Sequence, residues 1–199
     1  HAAYGLHPMF MDAHTKEDLA ALDAWLEQED AVAVGECGLD FFSPEADQQN
    51  QIAYFSAQLD IARNHRLPVI IHARKSLDII LRELRIRPVT GGVVHSFSGS
   101  LQQAQRLIEL GFKLGIAATI SFERAKKLRQ VVREVTINAL LIESDAPDQP
   151  GELHRGQRNE PAFILQHLAV IAEIRDITPE SLMQQVVINT EDIFEWKGD

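Results

Sequence analysis

Short apolar runs alternate along this chain with longer stretches in which apolar residues recur every three or four positions. Ala31-Val-Ala-Val-Gly, Pro68-Val-Ile-Ile, Gly91-Gly-Val-Val and Ala139-Leu-Leu-Ile-Glu-Ser are the clearest runs. Unbroken Val/Ile/Leu segments of this length read as strands buried on both faces, the habit of parallel sheets. Between them, Leu19, Leu22, Trp25 and Leu26 share one face of a helix expected from Thr15 to Glu29. Ile52, Phe55, Leu59 and Ala62 form the stripe of a second helix. Ser43-Pro44-Glu45 reads as its start, with proline at the first helical position, where its missing N–H costs nothing. More helices are expected near 76–84, 100–110, 122–134, 161–174 and 179–187, the last capped by Thr178. A short segment, Glu191–Trp196, follows. Strands at the opening Ala2–His7 and at Phe112–Thr119 bring the expected number to six. The alternation predicts α/β architecture built from βα units around a parallel sheet, as one domain over 1–199.

Four runs end on residues that bind metals: Glu36, His72, His95 and Asp145. A polar side chain at the C-terminal end of a barrel strand points into the mouth, where catalytic groups collect. Neutral imidazole and carboxylate are donors for Zn²⁺, Mn²⁺ and related divalent ions. A carboxylate also bridges two metals, and two metals about 3.5–4 Å apart activate water against a phosphodiester. Asp145 is the expected general base. Any one of the four, taken alone, reads equally well as a strand-end residue bonded to a loop; four at one topological level point to a metallohydrolase. Arg74, two residues after His72 on an extended chain, faces the same way and suits a phosphate oxygen. His7, before Pro8 at the end of the opening strand, also faces the mouth. Cys37 is expected in the core, pointing away from Glu36. His65 and His167 lie in helical stretches, and His154 with Arg155 and Arg158 in a polar loop that runs from Asp145 to about Asn159. Arg124, Lys126, Lys127, Arg129 and Arg133 read as a solvated helix face.

Composition narrows the picture further. The 199 residues carry a net charge of -10 and one cysteine. Strong nonspecific nucleic-acid binding rests on many cations and is not expected. A nuclease remains open, because a bound divalent ion supplies positive charge locally. The lone cysteine fits a reducing compartment, so a cytoplasmic location is expected. No run nears the roughly 18 apolar residues of a membrane span, so no membrane association is expected, and no obligate protein partner is evident. His1 stands directly before a strand, so the numbering is expected to begin inside a longer protein.

Gly5-Leu-His-Pro8, Gly35-Glu-Cys-Gly-Leu-Asp-Phe41, Ile71-His-Ala-Arg74, His95-Ser-Phe-Ser-Gly99, Glu143-Ser-Asp-Ala-Pro147 and Arg158-Asn-Glu-Pro161, in this order, resemble the TatD family of metal-dependent deoxyribonucleases. Asn189 followed by Phe194 resembles that family's closing motif. The resemblance implies a TIM-type (β/α)8 barrel, here incomplete with about six βα units, and a site for two divalent ions (Zn, Mg or Mn) at its C-terminal rim. It implies that Glu36 bridges the metals, that His72 and His95 complete one, and that Asp145 serves the other and the attacking water. His7 and Arg74 would orient the scissile phosphate of DNA, single-stranded by family habit. The family's first strand carries a His-x-His pair that this sequence lacks; it is expected upstream of His1. Ser144 stands where the family often has threonine, and Asp148 where an aromatic is common. Two other readings remain: an amide- or ester-cleaving hydrolase on a small or tRNA-borne substrate, and an inactive barrel fragment.

Overall fold

A computed structural model describes residues 1–195. Six parallel strands stand side by side in sequence order: β1 (Ala2–Tyr4), β2 (Ala31–Asp40), β3 (Val69–Arg74), β4 (Gly92–Val94), β5 (Phe112–Ile116) and β6 (Leu140–Ile142). Between them lie α1 (Lys16–Leu26), α2 (Gln48–His65), α3 (Leu77–Ile86), α4 (Leu101–Glu109) and α5 (Lys126–Glu134). Two more helices, α6 (Ile164–Arg175) and α7 (Pro179–Phe194), follow β6. The expected α/β class and all six strands are present. No described helix is long and apolar enough to cross a membrane.

The core is continuous from sheet to helices. Leu39, Ile71, Val94, Leu114 and Leu140 from the strands are fully buried, as are Phe55, Leu59, Ile80, Leu107 and Ile171 from the helices. Removing apolar surface of this kind from water is worth about 25 cal/mol per Å². Cys37 is buried with them, and burial pushes its thiol up to about 12, so it is an inert apolar filler. The basic stretch of α5 is a solvated face: Lys126, Lys127 and Arg133 are exposed while Leu128, Val131 and Val132 pack inward.

Several boundaries differ from the sequence reading. Helix α2 starts after Asp47, not at Pro44, because the Asp47 carboxylate accepts the Asn50 N–H at 3.0 Å and competes better for the cap. Ser43 instead closes a turn, its hydroxyl accepting the Glu45 N–H at 3.2 Å. Strand β5 stops at Ile116, and Ala118–Ser121 coil into a 3-10 turn, so α5 begins at Lys126 rather than near Phe122. Strand β6 ends at Ile142, so Glu143 and Ser144 already belong to the rim. Helix α7 runs unbroken to Phe194, joining the expected helix and closing segment; Trp196 lies outside the described residues.

Backbone register sets the level of the site. Gly38 pairs with His72 and Asp40 with Arg74, while an irregularity between Val34 and Cys37 shifts β2 against β3 around Glu36. Gly38 has φ +137, and a Cβ there would stand 2.1 Å from the His72 carbonyl oxygen, so only glycine lets the two strands meet. The His95 N–H donates to the Ile71 carbonyl at 2.9 Å, and the Glu143 N–H to the Ile116 carbonyl at 3.2 Å. These bonds bring the ends of β2, β3, β4 and β6 to one rim.

Candidate metal centre

Two carboxylate–imidazole clusters occupy that rim. In the first, His72 lies between two acids: Nδ1 is 3.0 Å from Glu36 Oε1, and Nε2 is 2.9 Å from Asp40 Oδ2. His7 Nε2 stands 3.6 Å from the same Glu36 oxygen, and the His7 and His72 rings meet edge-on with centroids 4.7 Å apart. In the second, His95 Nδ1 is 3.0 Å from Glu143 Oε1, and Nε2 is 3.3 Å from Asp145 Oδ1. The Ser96 N–H also donates to Glu143 at 2.5 Å, and the Gln149 amide donates to Asp145. Arg74 reaches toward Asp40 at 4.0 Å and is half exposed.

The charges act on one another. Burial pushes the Glu36 carboxyl up, but hydrogen bonds from His7 and His72 and the nearby His95 outweigh it and hold the group well below the carboxylate range. Burial likewise raises Asp145, and the bond and charge of His95 more than offset it, so its pKa is lowered. For His72 burial works downward, and the bonds to Glu36 and Asp40 win, leaving its pKa raised. For His95 the same contest ends at about 11, with Asp145 and Glu143 the main supports. The Glu36 charge is felt by both His95 and Asp145, which joins the two clusters electrostatically.

The sequence named Glu36, His72, His95, Asp145, His7 and Arg74. The structure arranges the first four as two pairs, Glu36 with His72 and His95 with Asp145, rather than as one tight cluster. His7, Glu36 and His72 form a set whose donor atoms all lie within 4.8 Å of one another, the spread a single ion can bridge. Ligands about 2.0–2.1 Å from a tetrahedral ion stand roughly 3.4 Å apart, and the 3.0 Å between His72 Nδ1 and Glu36 Oε1 is close to that spacing. Hydrogen bonding sorts the three imidazoles. Asp40 holds Nε2 of His72 and Glu143 holds Nδ1 of His95, so Nδ1 of His72 and Nε2 of His95 are the nitrogens that would be offered to an ion. His7 is different: its Nδ1 accepts the Met9 N–H at 3.1 Å, so Nε2 keeps its proton and donates.

Asp40, Glu143 and Gln149 were not singled out from sequence. Glu143 carried a signal, standing two residues before Asp145 and so on the same face of an extended chain. Asp40 reaches His72 through the pairing of β2 with β3, which no local pattern reports. Backbone strain marks the same rim. Of six non-glycine residues at positive φ among the described residues, Arg66, Asp176 and Glu195 cap helices. The other three, Lys75, Ser96 and Gln149, follow Arg74, His95 and the Asp145 turn. Such conformations cost about 1–3 kcal/mol each and persist where surrounding structure holds them.

A parallel sheet whose strand ends gather imidazoles and carboxylates defines a metal-dependent hydrolase of the TIM-barrel type. The TatD-related DNase family matches residues 1–195, and the chain belongs to that family. The metal-dependent hydrolase YjjV of Escherichia coli (strain K12) is 39% identical over 197 residues, covering 98% of this chain and 76% of YjjV. Its crystal structure superposes with a TM-score of 0.95 and 38% identity over 99% of this chain and 77% of that one. The 3'-5' ssDNA/RNA exonuclease TatD of Erwinia billingiae is 32% identical, covering 96% of this chain and 76% of that protein.

Proposed function

We propose that this chain hydrolyses phosphodiester bonds of single-stranded DNA at the rim site, using a divalent ion held by Glu36, His72, His95 and Asp145. The observation that carries the reading is the paired arrangement of those four residues with Arg74 and a proton-donating His7 beside them. The activity named for the Erwinia billingiae relative supports it. An ion there supplies Lewis acidity, polarising a phosphoryl oxygen and making water a stronger nucleophile near neutral pH. Nδ1 of His72 and Nε2 of His95 would hold the ion, with the other ring nitrogens fixed by Asp40 and Glu143. Asp145 is the general base: the Gln149 amide on Oδ2 leaves Oδ1 to take the proton of the attacking water. Arg74 and the Nε2–H of His7 bind the non-bridging phosphate oxygens and orient the phosphorus for in-line attack. Zn, Mn and Mg all suit such a donor set in different measure.

Asp145→Asn should lower turnover of a single-stranded oligonucleotide by about 100-fold or more, with bound metal falling far less. Near-normal turnover in that variant would remove Asp145 as the base. The net charge of -10 favours a second reading, attack on a carbonyl of an uncharged amide or ester. Running the same assay on a panel of esters and amides separates the two; cleavage of that panel alone would replace the nuclease reading.

A further inference from the structure

Next to the reacting centre stands an aromatic ring that the chemistry above does not use. Phe42 is 52% exposed, just past the end of β2. The Arg74 guanidinium lies 3.6 Å from its ring centroid and the Lys75 ammonium 4.7 Å. The backbone that carries the ring is also anchored. Asp40 accepts the Phe42 N–H on Oδ1 at 2.9 Å while its Oδ2 takes His72 Nε2 at 2.9 Å. One buried carboxylate thus braces both a metal-facing imidazole and the aromatic. Lys75 adopts φ 56, a left-handed conformation that turns the chain at the end of β3 while its ammonium stays over the ring.

The geometry points to a nucleobase-stacking platform made by Phe42, Arg74 and Lys75, which holds the nucleotide beside the scissile phosphate of a single strand. It rests on the phosphodiesterase reading given above. A nucleotide offers a flat π face and an anion a few ångströms away, and this surface offers a flat ring, a planar guanidinium and an ammonium in the same span. The two cations sit beside the site of a protein whose net charge is -10, so they supply positive charge for a phosphate near His72. Within a duplex both faces of a base are covered by its neighbours, so the platform admits an unpaired strand or a frayed end. Stacking of this kind tolerates every base, so it confers strand selectivity without sequence selectivity.

Fluorescence anisotropy on the Mn²⁺-loaded protein tests this with two short oligonucleotides, both protected by phosphorothioate linkages, one bearing bases and one abasic. The wild type should bind the base-bearing strand about tenfold more tightly than the abasic one. Phe42→Ala should abolish that ratio, Phe42→Trp should keep it, and Lys75→Ala should weaken both strands alike. Thermal melting of each variant checks that the fold is intact. Equal affinity of the wild type for the two strands, or an undiminished ratio in Phe42→Ala, would overturn the platform while leaving the phosphodiesterase reading in place. No binding of either strand would overturn that reading together with the platform.

Discussion

Each of the two strand-end histidines is held at both ring nitrogens by carboxylates, and this double grip governs how single residues respond to pH. Its effect shows in protein stripped of metal. The pKa of His95 in the fold is about 11, against about 6.5 for a free imidazole. Its pKa is raised on folding, so its contribution to stability is complete below about pH 6.5 and is lost as pH rises toward 11. Glu36 and Asp145 are shifted the other way, so their contribution is present above the ordinary carboxylate range and is lost on acidification. Urea unfolding of chelator-treated protein should therefore be most resistant near pH 5–6.5 and weaken on either side. His95→Gln should flatten the alkaline limb. An alkaline limb that is unchanged in that variant would mean that the imidazole is not charged in the fold. Metal binding should release protons, since the inward nitrogens must be free to ligate.

Among the elements, the contact of β2 with β3 matters most, because its register sets Gly38 beside His72 and Asp40 beside Arg74 and brings Glu36 and Asp40 to the His72 ring. Gly38→Ala would drive a methyl against the His72 backbone at a φ that alanine rarely adopts. It should cost about 2–5 kcal/mol by denaturant titration and reduce metal uptake as well. A change under about 0.5 kcal/mol would show that the two strands part more easily than this register requires. The apolar runs located the strands but not all of their ends: β2 continues past Glu36 to Asp40 and β3 past His72 to Arg74, whereas His95 stands just past β4 as expected. Amphipathic stripes likewise located the helices, with Thr178 and Pro179 opening α7 as expected. What the sequence did not carry was non-local. Asp40 becomes a partner of His72 only through strand register, and the Asp47 cap outcompetes Pro44 by one side-chain hydrogen bond. The ring partners of His7, His72 and His95 are set by neighbours as far as 48 residues apart, as for His95 and Glu143.

For the molecule as a whole, the acidic balance and the local chemistry pull in different directions. A surface with net charge -10 repels a polyanion, so recognition must come from a compact set of groups at one rim rather than from a broad basic face. Strands β1 and β6 end the sheet, each with a single neighbouring strand, and an apolar groove beside β6 is lined by Ile142, Leu165, Leu168, Met183 and Val187. Glu36, His72 and His95 come from or just past the middle strands β2, β3 and β4, where both neighbours hold the backbone, while Asp145 follows the edge strand β6. The central claim is that these strand ends converge on one divalent cation. Anomalous diffraction from crystals soaked in Zn²⁺ tests it most directly. The expected result is a peak in contact with Glu36 and Nδ1 of His72, in the space that Nε2 of His95 and Asp145 also face. A peak between Nε2 of His72 and Asp40, or zinc bound only away from this rim, would contradict it.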